Sequence, residues 1–155
     1  MADTIRVFID TEFNGPRGEL ISLALVSEYD DDPVYYQVFT VVNSIKPWVD
    51  QHVIPYVHCF PTSTCRLETW LRQLVRKHQA DVIEVIADWP DDIRYLCETL
   101  LTGPGKMIKI TAQLVFVLDL QNCAGPHHPA IPHNALSDAA ANRLNYLHHT
   151  SDEEE

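Results

Sequence analysis

Thr4-Ile5-Arg6-Val7-Phe8-Ile9-Asp10-Thr11 is the stretch whose reading decides the fold. Side chains alternate along a strand, so Ile5, Val7 and Ile9 share one face while Phe8, Asp10 and Glu12 share the other. After the turn Asn14-Gly15-Pro16-Arg17-Gly18, residues 19–27 form a second apolar run. A third run, residues 34–41, follows Pro33 and is rich in β-branched and aromatic residues. Turns this short join antiparallel neighbours, so the three strands read as a meander.

The period then changes. Pro47 opens a short helix through Ile54, and Thr62 or Ser63 caps a longer one to about residue 78, burying Leu67, Trp70, Leu71 and Leu74. Residues 82–87 read as a fourth strand, and a helix runs from about residue 90 to 101. Residues 106–110 and 113–118 are strand-like. A last helix runs from about Asn134 to His148, with Leu136, Ala140, Leu144 and Leu147 at core spacing. Three meandering strands followed by alternating helix and strand give an α/β fold: a mixed sheet with helices on its faces.

With 155 residues the chain makes one domain, over residues 1–150, with 151–155 an acidic disordered tail. The hydrophobic fraction of 46% is that of a globular protein. No apolar run reaches the roughly 18 residues of a membrane span. The first residues lack a basic stretch and a cleavage site, so no signal peptide is expected. Cys59, Cys65, Cys97 and Cys123 never form a Cys-x-x-Cys pair, which suits free thiols in a reducing cytoplasm. A net charge of −11 disfavours a tight, sequence-specific DNA binder. It does not exclude an enzyme that holds a few phosphates briefly, because acids that bind cations are neutralised by them.

Asp10 and Glu12, two apart on a strand, project from one face. Such a pair is costly at the end of an apolar strand unless it is solvated or compensated, and hard Mg²⁺ or Mn²⁺ prefers carboxylate oxygen. The plain alternative is a strand running out into solvent. Asp88 ends the fourth strand and can cap the next helix, with Asp92 four residues on. Helix-dipole chemistry alone accounts for acids at that position. His133 and Asp138 would lie about 140° apart on one helix at 3.6 residues per turn. Pro132 and Asn134 place His133 instead in the loop before the helix and Asp138 in its first turns, so both can face one pocket. A histidine titrating near neutrality can take a proton from water. A helix-start histidine beside a surface aspartate is the alternative.

Phe13, directly after the acid pair, can stack on a terminal base or serve as a core aromatic. Trp48 and Trp89 can line the same cleft or pack. Arg72 and Arg76 share one face of a basic helix edge, which reads as a solvated surface before it reads as a phosphate guide. Cys123, His127, His128 and His133 match no zinc module.

Taken together, FIDTEF (8–13), an acid in IADWPDDIRYL (86–96) and HNALSDA (133–139) resemble the three exonuclease motifs of the DEDD superfamily. The His–x4–Asp spacing is that of its histidine-containing branch, and FIDTEFNGPRGELISLALV and KPWVDQHVIPYV look like the small RNase AS-like 3′–5′ exoribonucleases. The resemblance covers nearly the whole chain in the family's order. It implies an RNase H-like domain that uses two Mg²⁺ or Mn²⁺ ions to release nucleoside 5′-monophosphates from the 3′ end of single-stranded RNA. Carried over, Asp10 and Glu12 match the first motif, Asp138 the third, and His133 the general base. The second motif departs: its amide position holds Asp88, its aromatic position Asp91, and its catalytic position falls on Asp92. Asp92 is favoured, with Asp88 as alternative, auxiliary or substrate-binding group. Single-stranded DNA is the alternative substrate, and a non-catalytic adaptor that binds RNA ends the alternative class. The resemblance also makes a homodimer an expectation; no membrane partner is expected.

Overall fold

The computed structural model describes residues 1–152. β1 (Thr4–Phe13), β2 (Leu20–Ser27) and β3 (Tyr35–Val38) pair antiparallel in sequence, which is the expected meander. α1 (Pro47–His52) and a 3₁₀ turn (Ile54–Tyr56) lead to α2 (Leu67–His78). β4 (Val82–Ala87) then lies parallel to the other edge of β1, and α3 (Pro90–Leu100) follows it. A hairpin of β5 (Leu101–Gly103) and β6 (Lys106–Met107) precedes β7 (Gln113–Leu118), which is parallel to β4. α4 (Leu120–Cys123) and α5 (Ala135–Asp152) complete the described chain. The main sheet has the order β3-β2-β1-β4-β7. It is an α/β fold with a five-stranded mixed sheet flanked by helices.

The two faces of β1 hold two different cores. Ile5, Val7 and Ile9 pack with Leu67, Trp70, Leu71 and Leu74 of α2 and with Leu96 and Leu100 of α3. These side chains are nearly inaccessible, and each contributes about 1.5–3 kcal/mol of burial. On the opposite face Phe8 meets Ile86 and Cys123, and its ring packs edge-on against Tyr146 of α5.

Four local expectations are corrected. Neither Thr62 nor Ser63 caps α2, whose N-terminus at Leu67 has no side-chain cap. The Ser63 hydroxyl is engaged by β3, accepting from the Tyr36 N–H at 2.9 Å. In α5 the leucine stripe is not the buried one: Leu144 is 45% exposed, whereas Ala135, Ala139, Ala141, Ser137 and Asn145 are buried. Ala135 and Ala139 pack against Ala24, Val26 and Tyr36, and such small side chains let helix and sheet approach closely. Of the strand-like run 106–110 only Lys106–Met107 pairs, as half of the hairpin around Gly105 (φ 65°). α5 continues through Asp152, so residues 151 and 152 of the expected tail are helical; the rest of that tail lies outside the described residues. Among the described residues, no helix is long and apolar enough to cross a membrane.

Candidate active site

β1 and β4 run parallel, so their C-terminal ends open at the same edge of the sheet. Asp10 and Glu12 lie on β1 just beyond its last pairing with β4, Phe8 with Ile86. Asp88 is the residue after β4 and projects into the same cavity, while Asp92 stands on the first turn of α3. Asp138 arrives from the first turn of α5. The elements thus converge all five acids that the sequence singled out.

Their oxygens form two overlapping groups. One oxygen each from Asp10, Asp88 and Asp92 lie within 4.8 Å of one another, and so do one each from Asp10, Glu12 and Asp138. Asp10 belongs to both. Asp92 is only 2% exposed, and its Oδ1 accepts from the Thr11 N–H at 3.1 Å and the Thr11 hydroxyl at 2.6 Å. Its Oδ2 is buried with no hydrogen-bond partner, and Asp10 Oδ2 is in the same position. A buried carboxylate oxygen without a partner costs about 1–3 kcal/mol or more, and such groups call for an explanation.

Electrostatics give the same picture. Burial, followed by the charges of Asp92, Asp138, Glu12 and Asp88, holds the Asp10 carboxyl well above the ordinary carboxylate range. Glu12 is pushed up to about 8 by burial and by Asp138 beside it. Burial lifts Asp92 to about 7 against the opposing Thr11 hydrogen bonds. Asp138 rises to about 6 through burial, moderated by Glu12 and by the His133 backbone N–H. Without a cation the cluster therefore holds protons at neutral pH. All-oxygen, multi-carboxylate groups suit hard divalent ions such as Mg²⁺ and Mn²⁺, and the orphaned oxygens of Asp10 and Asp92 fit such ions.

His133 is in the loop before α5, as expected, and its backbone is left-handed (φ 63°). Strain of this kind in a non-glycine residue costs on the order of 1–3 kcal/mol and clusters at functional sites. It is held in place by Asn134, whose Oδ1 accepts from the N–H groups of Leu136 (3.1 Å) and Ser137 (3.2 Å), a side-chain cap on α5. The Asn134 amide also donates to the Tyr56 carbonyl at 2.8 Å. His133 and Asp138 line one cavity of about 550 Å³ together with Asp10, Glu12 and Asp88. The Trp48 and His133 rings meet at a right angle, centroids 5.1 Å apart, and Trp48 stacks on His52 at 4.5 Å.

The remaining candidates separate. Phe13 is half-buried and packs on Tyr95 at 5.1 Å. Trp89 is exposed and occupies the N-cap position of α3, so Asp88 is not that helix's cap and its carboxylate is left to the cavity. Arg72 and Arg76 line a groove with Lys109 and Thr111, near the start of β7 and so at the end of the sheet away from the carboxylates. Among the described residues no histidine or cysteine joins a metal-sized group. All four cysteines are free. Thr11 and Asn134 are the supporting residues that sequence reasoning passed over. Thr11 faces away from the acid pair by strand alternation, while Asn134, at the expected start of the helix, is the cap that asparagine favours.

No protein-family model matches the chain, and no curated protein matches it.

Proposed function

We propose that the chain is a metal-dependent 3′–5′ exoribonuclease of the histidine-containing DEDD type, built on an RNase H-like sheet. The observation that carries this reading is the pair of carboxylate groups sharing Asp10, with unpartnered oxygens on Asp10 and Asp92 inside the protein. A pure binder of RNA ends gains nothing from five clustered acids beside a phosphate, whereas a hydrolase needs them to hold cations.

Asp10, Glu12 and Asp138 would hold one divalent ion and Asp10, Asp88 and Asp92 a second. Such a pair supplies Lewis acidity at the phosphoryl group and lowers the pKa of water. The chain's own residues do the rest. The His133 ring, on the wall of the same cavity, accepts the proton of the attacking water. His133 lies in the loop directly before the helix whose first turn carries Asp138, which ties this base to the acids. Trp48 and the Asn134 cap restrict how far the loop and the ring can move. The water oxygen bonds to phosphorus, the bond to the preceding nucleotide's 3′-oxygen breaks, and that oxygen takes up a proton. A nucleoside 5′-monophosphate leaves, and the strand ends in a new 3′-hydroxyl.

Preference for RNA over DNA and a homodimer belong to this proposal through the family resemblance, and a cytosolic setting through the cysteine pattern. Four free thiols agree with a reducing compartment. The test is incubation with matched RNA and DNA oligonucleotides labelled at the 5′ end, with Mg²⁺ and with chelator. A ladder shortening from the 3′ end, with RNA and only with metal, is expected. An intact oligonucleotide at high enzyme concentration would overturn the proposal.

A further inference from the structure

The two edges of the main sheet are finished differently. At the β3 edge the outward backbone groups are covered. The Ser63 N–H donates to the Tyr36 carbonyl at 2.8 Å, the Tyr36 N–H donates to the Ser63 hydroxyl, and the Gln37 amide donates to the Val38 carbonyl at 3.2 Å. At the β7 edge, the N–H groups of Gln113 and Asp119 donate to Asp81 and Ala87 on the β4 side, each at 2.8 Å. Backbone groups alternate sides along a strand, so those of Leu114, Phe116 and Leu118 point away from β4. Among the described residues nothing hydrogen-bonds them there. Proteins usually guard such an edge with a lysine, a proline or a bulge. β7 has none of these: its register with β4 is unbroken, and residues 110–118 (ITAQLVFVL) carry no charge in a chain that is 21% charged. Phe116 and Leu118 are 36% and 53% exposed.

We infer that β7 pairs antiparallel with β7 of a second copy of this chain, about a two-fold axis at Phe116, and joins the two sheets into one. An open edge accepts any extended chain; what favours a second copy is that this strand is its own complement. With Phe116 opposite Phe116 of the other copy, Leu114 faces Leu118 and Leu118 faces Leu114. All three are outward-turned residues, so every opposed pair exchanges both of its backbone hydrogen bonds. A shift by one residue sets outward-turned groups against inward-turned ones and loses the ladder. Leu114, Phe116 and Leu118 stand beside Ile83, Val85 and Ala87, members of the core under α2 and α3, so they share one face of the sheet. The opposed pairs therefore make a single apolar row, with the two Phe116 rings at its centre. Asp119, the acid at the end of the strand, meets Gln113 and not another acid in this register. Two chains of net charge −11 thus meet along their uncharged segment. The homodimer belongs to the exonuclease reading by resemblance, whereas this surface for it follows from the strand alone.

A single strand pair is a small interface, so association depends on concentration. The full chain is sedimented from micromolar to millimolar concentration, and backbone amide exchange is followed residue by residue by NMR. The mass of two chains is expected at the upper end. There the amides of Leu114, Phe116 and Leu118 exchange about tenfold more slowly than in dilute solution, whereas that of Tyr36, covered within its own chain, is equally protected at both. Phe116→Lys puts a charge on the edge, returns the mass of one chain and removes the slowing. Leu118→Lys repeats the test at the more exposed position, and protection of Tyr36 in each variant reports that the sheet is intact. The mass of one chain at millimolar concentration overturns the inference. So does a dimer in which these three amides exchange as fast as in dilute solution. Either result leaves the exonuclease reading standing, while failure to shorten RNA overturns that reading and leaves this surface untouched.

Discussion

Two buried carboxylates of this chain, Asp32 and Asp92, sit in opposite circumstances. Asp32 follows β2, and its oxygens are fully engaged: Ser27 donates at 2.5 Å, Lys77 at 2.6 Å and His78 lies at 2.8 Å. Burial opposes its ionisation, yet Lys77, Ser27 and His78 together hold its carboxyl below the ordinary range. Asp92 has two donors from Thr11 on one oxygen and nothing on the other, and it is pushed up to about 7. Asp32 is a completed tie between the turn after β2 and the C-terminus of α2. Asp92, with Asp10, is an arrangement that a cation would complete. Burial alone does not distinguish a structural acid from a functional one; the unpartnered oxygen does.

That contrast breaks most visibly under substitution of Asp10. Asp10→Asn removes a group shared by both carboxylate groups, and RNA shortening falls on the order of 10³-fold or more. The same change removes the cost of keeping a buried carboxyl protonated among other acids, so the metal-free variant is more stable to thermal unfolding by about 1–2 kcal/mol. An active variant, or one less stable than the parent in chelator, would contradict the functional reading of the cluster. Asp32→Ala acts the other way. It leaves Lys77 and His78 without their acid and costs about 2–4 kcal/mol in urea unfolding, at the low end because Lys77 is itself 45% exposed. The fraction that remains folded keeps its Mn²⁺ affinity.

pH separates the two sites by sign. Asp10, Glu12, Asp92 and Asp138 have raised carboxyls in the folded chain, so between about pH 4 and 8 the folded state binds more protons than the unfolded one. Stability in chelator therefore falls as pH rises through that window, and saturating Mn²⁺ flattens the dependence because bound acids are already deprotonated. Asp32, with its lowered carboxyl, contributes stability that is present above the unfolded carboxylate pKa and lost in acid. Thermal melts from pH 3 to 8, in chelator and in Mn²⁺, measure both; a flat profile in chelator above pH 4 would count against the raised carboxyls. The smallest effect concerns the second motif. Asp92→Asn, which alters a fully buried group, weakens Mn²⁺ more than Asp88→Asn, for which about a tenfold loss is expected by calorimetry. The reverse order would make Asp88 the principal ligand.

Much of this arrangement is legible in the sequence where one period dominates. The alternation of residues 4–11 gives both faces of β1, and residues 82–87 match β4 to the residue, because each run is bounded by a clear turn or a change of period. The α2 stripe of Leu67, Trp70, Leu71 and Leu74 is equally direct. The misreadings arise where tertiary contact overrides local signal. Ser63 is a cap residue by type, but β3 takes its hydroxyl. In α5 the large side chains look like the core, yet close packing on β2 requires alanines there. For the site, Asp10, Glu12, His133 and Asp138 stand out as motif residues. That Asp88 and Asp92 both reach Asp10 depends on how α3 turns after β4, which no spacing rule supplies.

The most direct test is a crystal soaked in Mn²⁺ with anomalous data collected above the manganese edge. Two peaks are expected, one against Asp10, Glu12 and Asp138 and the other against Asp10, Asp88 and Asp92. A cluster free of manganese at saturating concentration, or ions bound only elsewhere, would contradict the metal-dependent nuclease assignment.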